Sequence, residues 1–307
     1  LGGESFFKHK SLQRGQHTAY GLFMVAQLID GKAIAGRQRA LLAGEVVAFA
    51  NAMGRPPGIA VIRAGEDPAS KIYVASKKRT AESLGLNSWE HALPEHTTQA
   101  ELLSLIAGLN AQEAVDGILV QLPLPKHLDT HSVLRAVLPQ KDVDGFHPMN
   151  AGSLFQGKPT LVPCTPLGVM KMLEEIGYKV EGKRAVVIGR SNIVGRPMAA
   201  LLLNASASVV LCHSKSDVRA ETLRADIVVS AVGVAGLLRG DWIREGAVVV
   251  DVGMNRGEGG KLCGDVVFEE VFQKAAWLTP VPGGVGPMTI AMLMHNTVQA
   301  AKSRCKL

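Results

Sequence analysis

KRAVVIGRSNIVGRP, residues 183–197, is the stretch whose reading decides the fold. Ala185–Ile188 is an unbroken apolar run of the kind that a strand buried on both faces requires. A tight turn opens at Gly189, and a helix starts near Gly195. Strand, glycine turn and helix in this order form the first βα unit of a dinucleotide-binding fold. The spacing is G-x-S-x-x-x-G rather than G-x-G-x-x-G. Gly189 permits the sharp turn, and Gly195 lets the helix pack close to the strand. Ser191 stands where a second glycine often lies, and its short side chain still leaves a phosphate access to the helix N-terminus. Free N–H groups and the helix dipole favour an anion there. Taken alone, the string also fits a turn in some other α/β protein.

The next strand selects the nucleotide. Val209–Cys212 is apolar and ends in His213-Ser214-Lys215. A protein that binds NAD usually places an acid at this strand end for the ribose 2′-hydroxyl. Here a hydroxyl and a cation stand there, and Arg190 follows the first glycine. That set suits a 2′-phosphate, so NADP is expected over NAD. Asp217 lies a few residues on, and Ser214 and Lys215 also fit an ordinary solvated loop.

The chain has 307 residues, enough for two domains. Its hydrophobic content of 47% supports sizeable cores. The net charge of +6 comes from scattered cations, and aromatics are only 5%, so no basic-aromatic surface for nucleic acid is legible. A polyanionic small substrate is the better match. Cys164, Cys212, Cys263 and Cys305 lie far apart, and no His pair has ligand spacing. Neither a metal site nor a disulfide framework is indicated, and a reducing, cytoplasmic compartment fits. No apolar run reaches membrane-spanning length. Residues 1–21 lack periodicity and read as a tag or leader.

Working outward, strand and helix patterns alternate from residue 34 to 138 as βαβαβα, which implies a parallel sheet. Lys141–Pro166 is dense in Gly and Pro and reads as a connecting loop and cleft wall. The expected architecture is α/β with two mainly parallel sheets flanked by helices. Residues 22–145 form a catalytic domain and 146–286 a Rossmann-type domain. A C-terminal helix from Pro287, with Pro287 at its first position and Ile290, Leu293, Met294 and Val298 on one stripe, returns to the first domain.

Four local patterns could carry chemistry. Tyr73 and Lys77 are four apart on a helix opened by Asp67-Pro68, so they share a face. The ring could floor a site while the amine handles protons; a tyrosine packed on a cationic surface helix is the alternative. Gln121 follows the apolar run Ile118–Val120 and so sits at the carboxyl end of a central strand, where open α/β sheets bind ligands. It could equally satisfy loop backbone. KDVDG, residues 141–145, offers two carboxylates, one of which could accept paired N–H donors from a heterocycle. Asp144-Gly145 is also a common turn pair. TPVPGGVGPMT, residues 279–289, sets three prolines and three glycines before a strong helix, a composition that suits close backbone approach to a ligand.

Together the strings Y-V-x-x-K (73–77), V-Q-L-P-L-P (120–125), K-D-V-D-G-F (141–146), G-R-S-x-x-V-G-x-P (189–197), D-V-G-M-N-R (251–256) and P-V-P-G-G-V-G-P-M-T (280–289) resemble the bifunctional methylenetetrahydrofolate dehydrogenase/methenyltetrahydrofolate cyclohydrolase family. The resemblance runs from about residue 28 to 302. It implies oxidation of 5,10-methylenetetrahydrofolate with NADP⁺ and hydrolysis of the product to 10-formyltetrahydrofolate. By the same resemblance Lys77 is the catalytic lysine, Gln121 its orienting partner and Tyr73 the ring that stacks on the folate. Asp144, rather than Asp142, matches the pterin-binding aspartate. Val120, Gln121, Leu122, Pro282, Gly283, Gly284, Val285 and Gly286 would line the substrate cleft, and Gly189, Arg190, Ser191, Ser214 and Met254 would contact NADP. Met254 replaces a commonly seen isoleucine. Family members are homodimers through their dinucleotide domains. The mitochondrial NAD-using branch carries an insertion before the second strand and an Arg after its His; this chain has neither. A shikimate-type dehydrogenase and a non-catalytic nucleotide- or nucleic-acid-binding module are the rival readings.

Overall fold

The structure is a computed structural model and describes residues 25–307. The expectation of a tag or leader lies outside those residues. The chain runs through β1 (Gln27–Leu28), α1 (Gly31–Met53), β2 (Gly58–Ala64), α2 (Pro68–Ser83), β3 (Asn87–Leu93), α3 (Gln99–Ala111), β4 (Gly117–Val120) and α4 (Thr130–Ala136). It continues through α5 (Pro148–Phe155), α6 (Cys164–Glu175), β5 (Arg184–Ile188), α7 (Gly195–Asn204), β6 (Ser208–Cys212), α8 (Val218–Thr222) and β7 (Ile227–Ser230). Then come β8 (Val248–Asp251), the antiparallel pair β9 (Asn255–Arg256) and β10 (Leu262–Cys263), α9 (Phe268–Phe272), β11 (Trp277–Leu278) and α10 (Val285–Cys305).

Two parallel sheets organise the molecule. The first is ordered β3-β2-β4 and the second β1-β11-β8-β7-β5-β6. β2, β4, β7 and β8 are buried at every position, which is why they read as near-continuous apolar runs, broken only by Arg63, Ser230 and Asp251, rather than alternating ones. Helix starts follow local chemistry. Asp30 accepts from Ala33 N at 2.9 Å, Asp67 accepts from Ser70 N at 2.7 Å, and Thr98 with Glu101 forms a capping box.

Three expectations are corrected. Residues 27–28 do not lie with the first sheet; β1 pairs in parallel with β11 at the edge of the second, and Ile29 N donates to Leu278 O at 2.9 Å. A two-residue strand leaves no periodicity to read. The segment 141–166 is not all loop, because α5 forms inside it. Pro148 sits in the first turn of α5, and His147 Nδ1 accepts from Met149 N at 3.1 Å. The last helix starts at Val285, which makes Pro287 its third residue. Its amide would be unpaired at any of the first positions, so the proline is tolerated there.

α10 is buried on more than one stripe, with Met288, Ala291, Met292, Leu293, Met294 and Val298 all inside. It packs between α1 and α6 and so joins the helices of both lobes. Its end is tied down by Arg304, which donates to the buried carboxylate of Asp116 at 2.6 Å, where Arg55 also binds at 2.7 Å. No helix among the described residues is long and apolar enough to cross a membrane.

Candidate active site

The Asp67 cap and Pro68 fix the first turn of α2, and its helical spacing puts Tyr73 and Lys77 on one face. Lys71, on the same helix, is drawn to Glu66. Lys77 is free to reach the end of β4, where its Nζ donates to Gln121 Oε1 at 2.9 Å. Gln121 itself is held at three points. Its N–H donates to Ile62 O at 2.8 Å, and its Nε2 donates to Leu122 O at 2.6 Å. With the amide nitrogen used on the backbone, the amide oxygen faces the lysine.

The two carboxylates of KDVDG part company in space. Asp142 is buried and accepts from His147 N and from Asn150 Nδ2, both at 2.8 Å, so it braces the chain entering α5. Asp144 is half-buried and faces a cavity of about 190 Å³ together with Lys77, Gln121 and Leu122. Burial pushes the Asp144 carboxyl up to about 6, although the Lys77 charge pulls the other way. Cys164 Sγ lies 3.9 Å from Asp144 Oδ1 and donates to Val143 O at 3.2 Å. Asn296, buried on α10, donates to Val143 O at 2.9 Å and to Val162 O at 2.8 Å, and thereby fixes the backbone on either side of the pocket floor.

The same cavity is lined by Phe146, Cys164, Thr165, Thr289 and Ile193. Ile193 belongs to the turn after β5, so the pocket has walls from both lobes. Thr165 and Thr289 place their hydroxyls 2.9 Å apart across α6 and α10. The chemistry of none of these five was assigned from sequence. Phe146 and Thr289 ended strings already singled out, whereas Cys164, Thr165 and Ile193 carried no local signal. A larger cavity of about 350 Å³, between residues 139–161 and the end of α10, has no ionisable side chain in its lining. Its size therefore does not make it the seat of chemistry.

The turn after β5 is built around backbone contact. Gly189 has φ of 111°, and a Cβ there would stand 2.3 Å from Ala231 O. A Cβ on Gly195 would stand 1.9 Å from Gly189 O. Both positions therefore admit only glycine. Ser191 Oγ accepts from Val194 N at 3.2 Å and from Gly195 N at 3.3 Å, so the hydroxyl organises the loop rather than merely leaving room. Arg190, Ser214 and Lys215 are exposed beside it. Asp217, the acid that follows this strand end in the chain, caps α8 by accepting from Ala220 N at 3.0 Å. A turn closed tightly around two glycines, with cations and a hydroxyl at its rim and the following acid engaged elsewhere, fits a phosphorylated dinucleotide.

The lobes meet again at the mouth. Tyr73 Oη donates to Met254 Sδ at 3.4 Å, from α2 to the segment after β8. Met254 is 48% exposed, so a ligand can reach it. Other expected lining residues stand outside the 190 Å³ cavity. Val120 is buried in the core of the first sheet, which leaves only its backbone near the cleft. Gly284 and Val285 are also buried. The loop 280–286 packs on the start of α1, where Gly283 O accepts from Lys32 N at 2.9 Å and Gly31 has no room for a side chain against Gly284. None of Pro282, Gly283, Gly284, Val285 and Gly286 lines the 190 Å³ cavity; the chain reaches it at Thr289, one turn into α10.

Residues 29–144 match the catalytic domain of the tetrahydrofolate dehydrogenase/cyclohydrolase family, and residues 163–305 match its NAD(P)-binding domain. The bifunctional protein FolD 2 of Myxococcus xanthus is 60% identical over 278 residues, 91% of this chain and 96% of that one. The crystal structure of the bifunctional FolD enzyme of Campylobacter jejuni superposes with a TM-score of 0.89 at 50% identity, covering 91% of this chain and 99% of that one. The Trypanosoma brucei enzyme, solved with NADP and an inhibitor, gives 0.88 at 40% identity over 92% and 99%. Shikimate 5-dehydrogenase of Thermus thermophilus, the rival type, gives 0.51 at 17% identity over 80% and 99%, a likeness of fold alone. With both family models matched in order and relatives this similar along nine-tenths of its length, this chain belongs to the tetrahydrofolate dehydrogenase/cyclohydrolase family.

Proposed function

We propose that this protein oxidises 5,10-methylenetetrahydrofolate with NADP⁺ and then hydrolyses the 5,10-methenyl product to 10-formyltetrahydrofolate in the same cleft. The observation that carries the reading is the 2.9 Å contact of Lys77 Nζ with Gln121 Oε1, in a pocket whose opposite wall is the turn of the dinucleotide fold. Gly189, Arg190, Ser191, Ser214 and Met254 are the residues that would hold the nucleotide, with Arg190 and Ser214 on its 2′-phosphate. When bound, NADP⁺ supplies the acceptor for the hydride.

The chain supplies position and proton handling. Asp144 offers two carboxylate oxygens to adjacent N–H groups of the pterin, a fork that fixes the ring in its plane. Tyr73 stacks on the folate, and Pro282, Gly283 and Gly286 border it through backbone. Orienting two flat partners accounts for most of what a protein must do in hydride transfer. Hydrolysis needs a proton removed from the water that attacks the amidinium carbon. Lys77 takes it, with Gln121 holding the amine toward the pocket; the bond from that carbon to N5 then breaks, N5 takes up a proton and the added oxygen gives up its own, which leaves the 10-formyl group. The positive balance of the chain favours the folate glutamate tail. The protein works as a homodimer in the cytoplasm, a state that light scattering on the purified chain tests.

An absorbance assay of methenyl formation and decay, run with each nicotinamide nucleotide, tests the reading. Formation with NADP⁺ faster than with NAD⁺, followed by decay that needs no nucleotide, is the expected result. Absence of either phase in folded protein would overturn it.

A further inference from the structure

Two carboxylates are buried under the C-terminal edge of the second sheet, and among the described residues neither is paired with a cation. Asp265 is 0% exposed and Asp251 3%. A buried carboxylate is costly unless its oxygens are fully hydrogen-bonded, and these two are. Asp265 Oδ2 accepts from Ser230 Oγ at 3.1 Å, Val232 N at 2.8 Å and Gly233 N at 3.3 Å. Its Oδ1 accepts from Val234 N and Asn255 Nδ2, both at 3.0 Å. Asp251 in turn holds Asp265 in place, accepting from Asp265 N and Gly253 N at 2.9 Å and from Val266 N at 3.0 Å. The fit is close: a Cβ on Gly253 would stand 2.2 Å from Asp265 Oδ1, and one on Gly264 1.8 Å from Asp251 Oδ2.

With its lone pairs occupied, Asp265 can bind no ligand itself. What it does is set the direction of two loops. The N–H groups of Val232, Gly233 and Val234 all point inward to it. Across each planar trans peptide the preceding carbonyl points the opposite way. The carbonyls of Ala231, Val232 and Gly233 therefore face away from Asp265, and Ala231 O is the atom that abuts Gly189. The bond from Asn255 fixes the second loop, which carries Met254 at the cleft mouth.

We infer that Asp265 is a positioning residue for the dinucleotide: by gathering the N–H groups of residues 232–234 and the Asn255 amide, it turns a row of backbone carbonyls outward for the hydroxyl and carboxamide donors of the nucleotide and holds Met254 at the mouth. The inference rests on the proposed function, and it separates the two activities, since only hydride transfer needs the nucleotide. Asp265→Asn keeps the shape but replaces one acceptor oxygen by an N–H₂ group that faces N–H donors. Asn255→Ala removes a single bond from Asp265.

The test uses the full chain and three readouts: NADP⁺ affinity by titration calorimetry, hydrolysis of methenyltetrahydrofolate without nucleotide, and the melting midpoint. Asp265→Asn is expected to weaken NADP⁺ binding more than tenfold and Asn255→Ala several-fold, with hydrolysis within twofold of the parent. Unchanged NADP⁺ affinity in either folded variant overturns the inference. So does a parallel fall of hydrolysis and affinity, which would mark a purely structural role. If Asp265→Asn does not fold, Asn255→Ala decides by the same criteria. A parent protein that binds NADP⁺ but turns over no folate would defeat the functional proposal while leaving the Asp265 result readable.

Discussion

Asp144→Asn should make the protein more stable and less able to bind folate. The Asp144 carboxyl is pushed from 3.8 to about 6, with burial the dominant cause. That rise corresponds to roughly 3 kcal/mol of penalty on the ionised form. Asp144 keeps partial access to solvent, which screens the charge, so about 1–2 kcal/mol is the working figure. The sign follows from linkage. In the unfolded chain the group ionises above its ordinary value, and in the folded protein only above about 6. The penalty is therefore complete above about pH 6, shrinks between 6 and 4, and vanishes below that. An asparagine never ionises and escapes it. Scanning calorimetry of parent and variant at pH 7.5 and pH 4 should show the variant melting roughly 2–6 °C higher at the first pH and level with the parent at the second. The same variant should show a raised KM for folate, because an amide offers one acceptor where the carboxylate offers two. Equal melting points at pH 7.5, or a gain undiminished at pH 4, would refute the assignment of a strained, functional carboxylate.

Other outcomes follow from single contacts. Lys77→Met should lower hydrolysis by about 10²-fold or more and hydride transfer by much less, since only the first needs a proton taken from water; unchanged hydrolysis in folded protein would remove Lys77 from that role. Arg190→Ala should raise KM for NADP⁺ about tenfold and leave KM for NAD⁺ nearly as it was, as loss of a charge-assisted contact to the 2′-phosphate predicts. Steady-state kinetics with both nucleotides would expose an unchanged preference. Gly195→Ala must push a methyl toward Gly189 O, 1.9 Å away. It should lower the melting point and weaken NADP⁺ binding together, and full binding in that variant would show that the turn can relax.

How far the amino-acid sequence was legible depended on how local each signal was. The alternation of strands and helices was read because each element declares itself over a few residues. β2 is apolar but for Arg63 and β4 is apolar throughout, and α2 and α3 begin with side-chain caps. α5 was missed because glycine and proline around it read as loop, although Pro148 in its first turn is itself a helix start signal. β1 was missed because its strand character is conferred by its partner β11 and not by its own residues. In the pocket, Lys77, Gln121 and Asp144 stood out by residue type. Ile193, Thr165 and Cys164 did not, since an isoleucine, a threonine and a cysteine acquire a role only from what faces them.

The amino-acid sequence by itself settled the two parallel-sheet units and the glycine turn, because backbone freedom at Gly189 and apolar runs such as Val248–Val250 are properties of neighbouring residues. The spacing of the 141–145 string left its two carboxylates alike and only the family resemblance favoured Asp144; the tertiary structure shows Asp144 facing the cavity and Asp142 bracing the chain, and it alone decided which hydroxyl pair closes the cavity and that Asp265 gathers two loops from beneath. Each of those outcomes joins groups far apart along the chain. Whether a buried charge braces a loop or faces a pocket depends on the donors that packing brings to it, and the spacing of residues along a strand or helix carries no record of them.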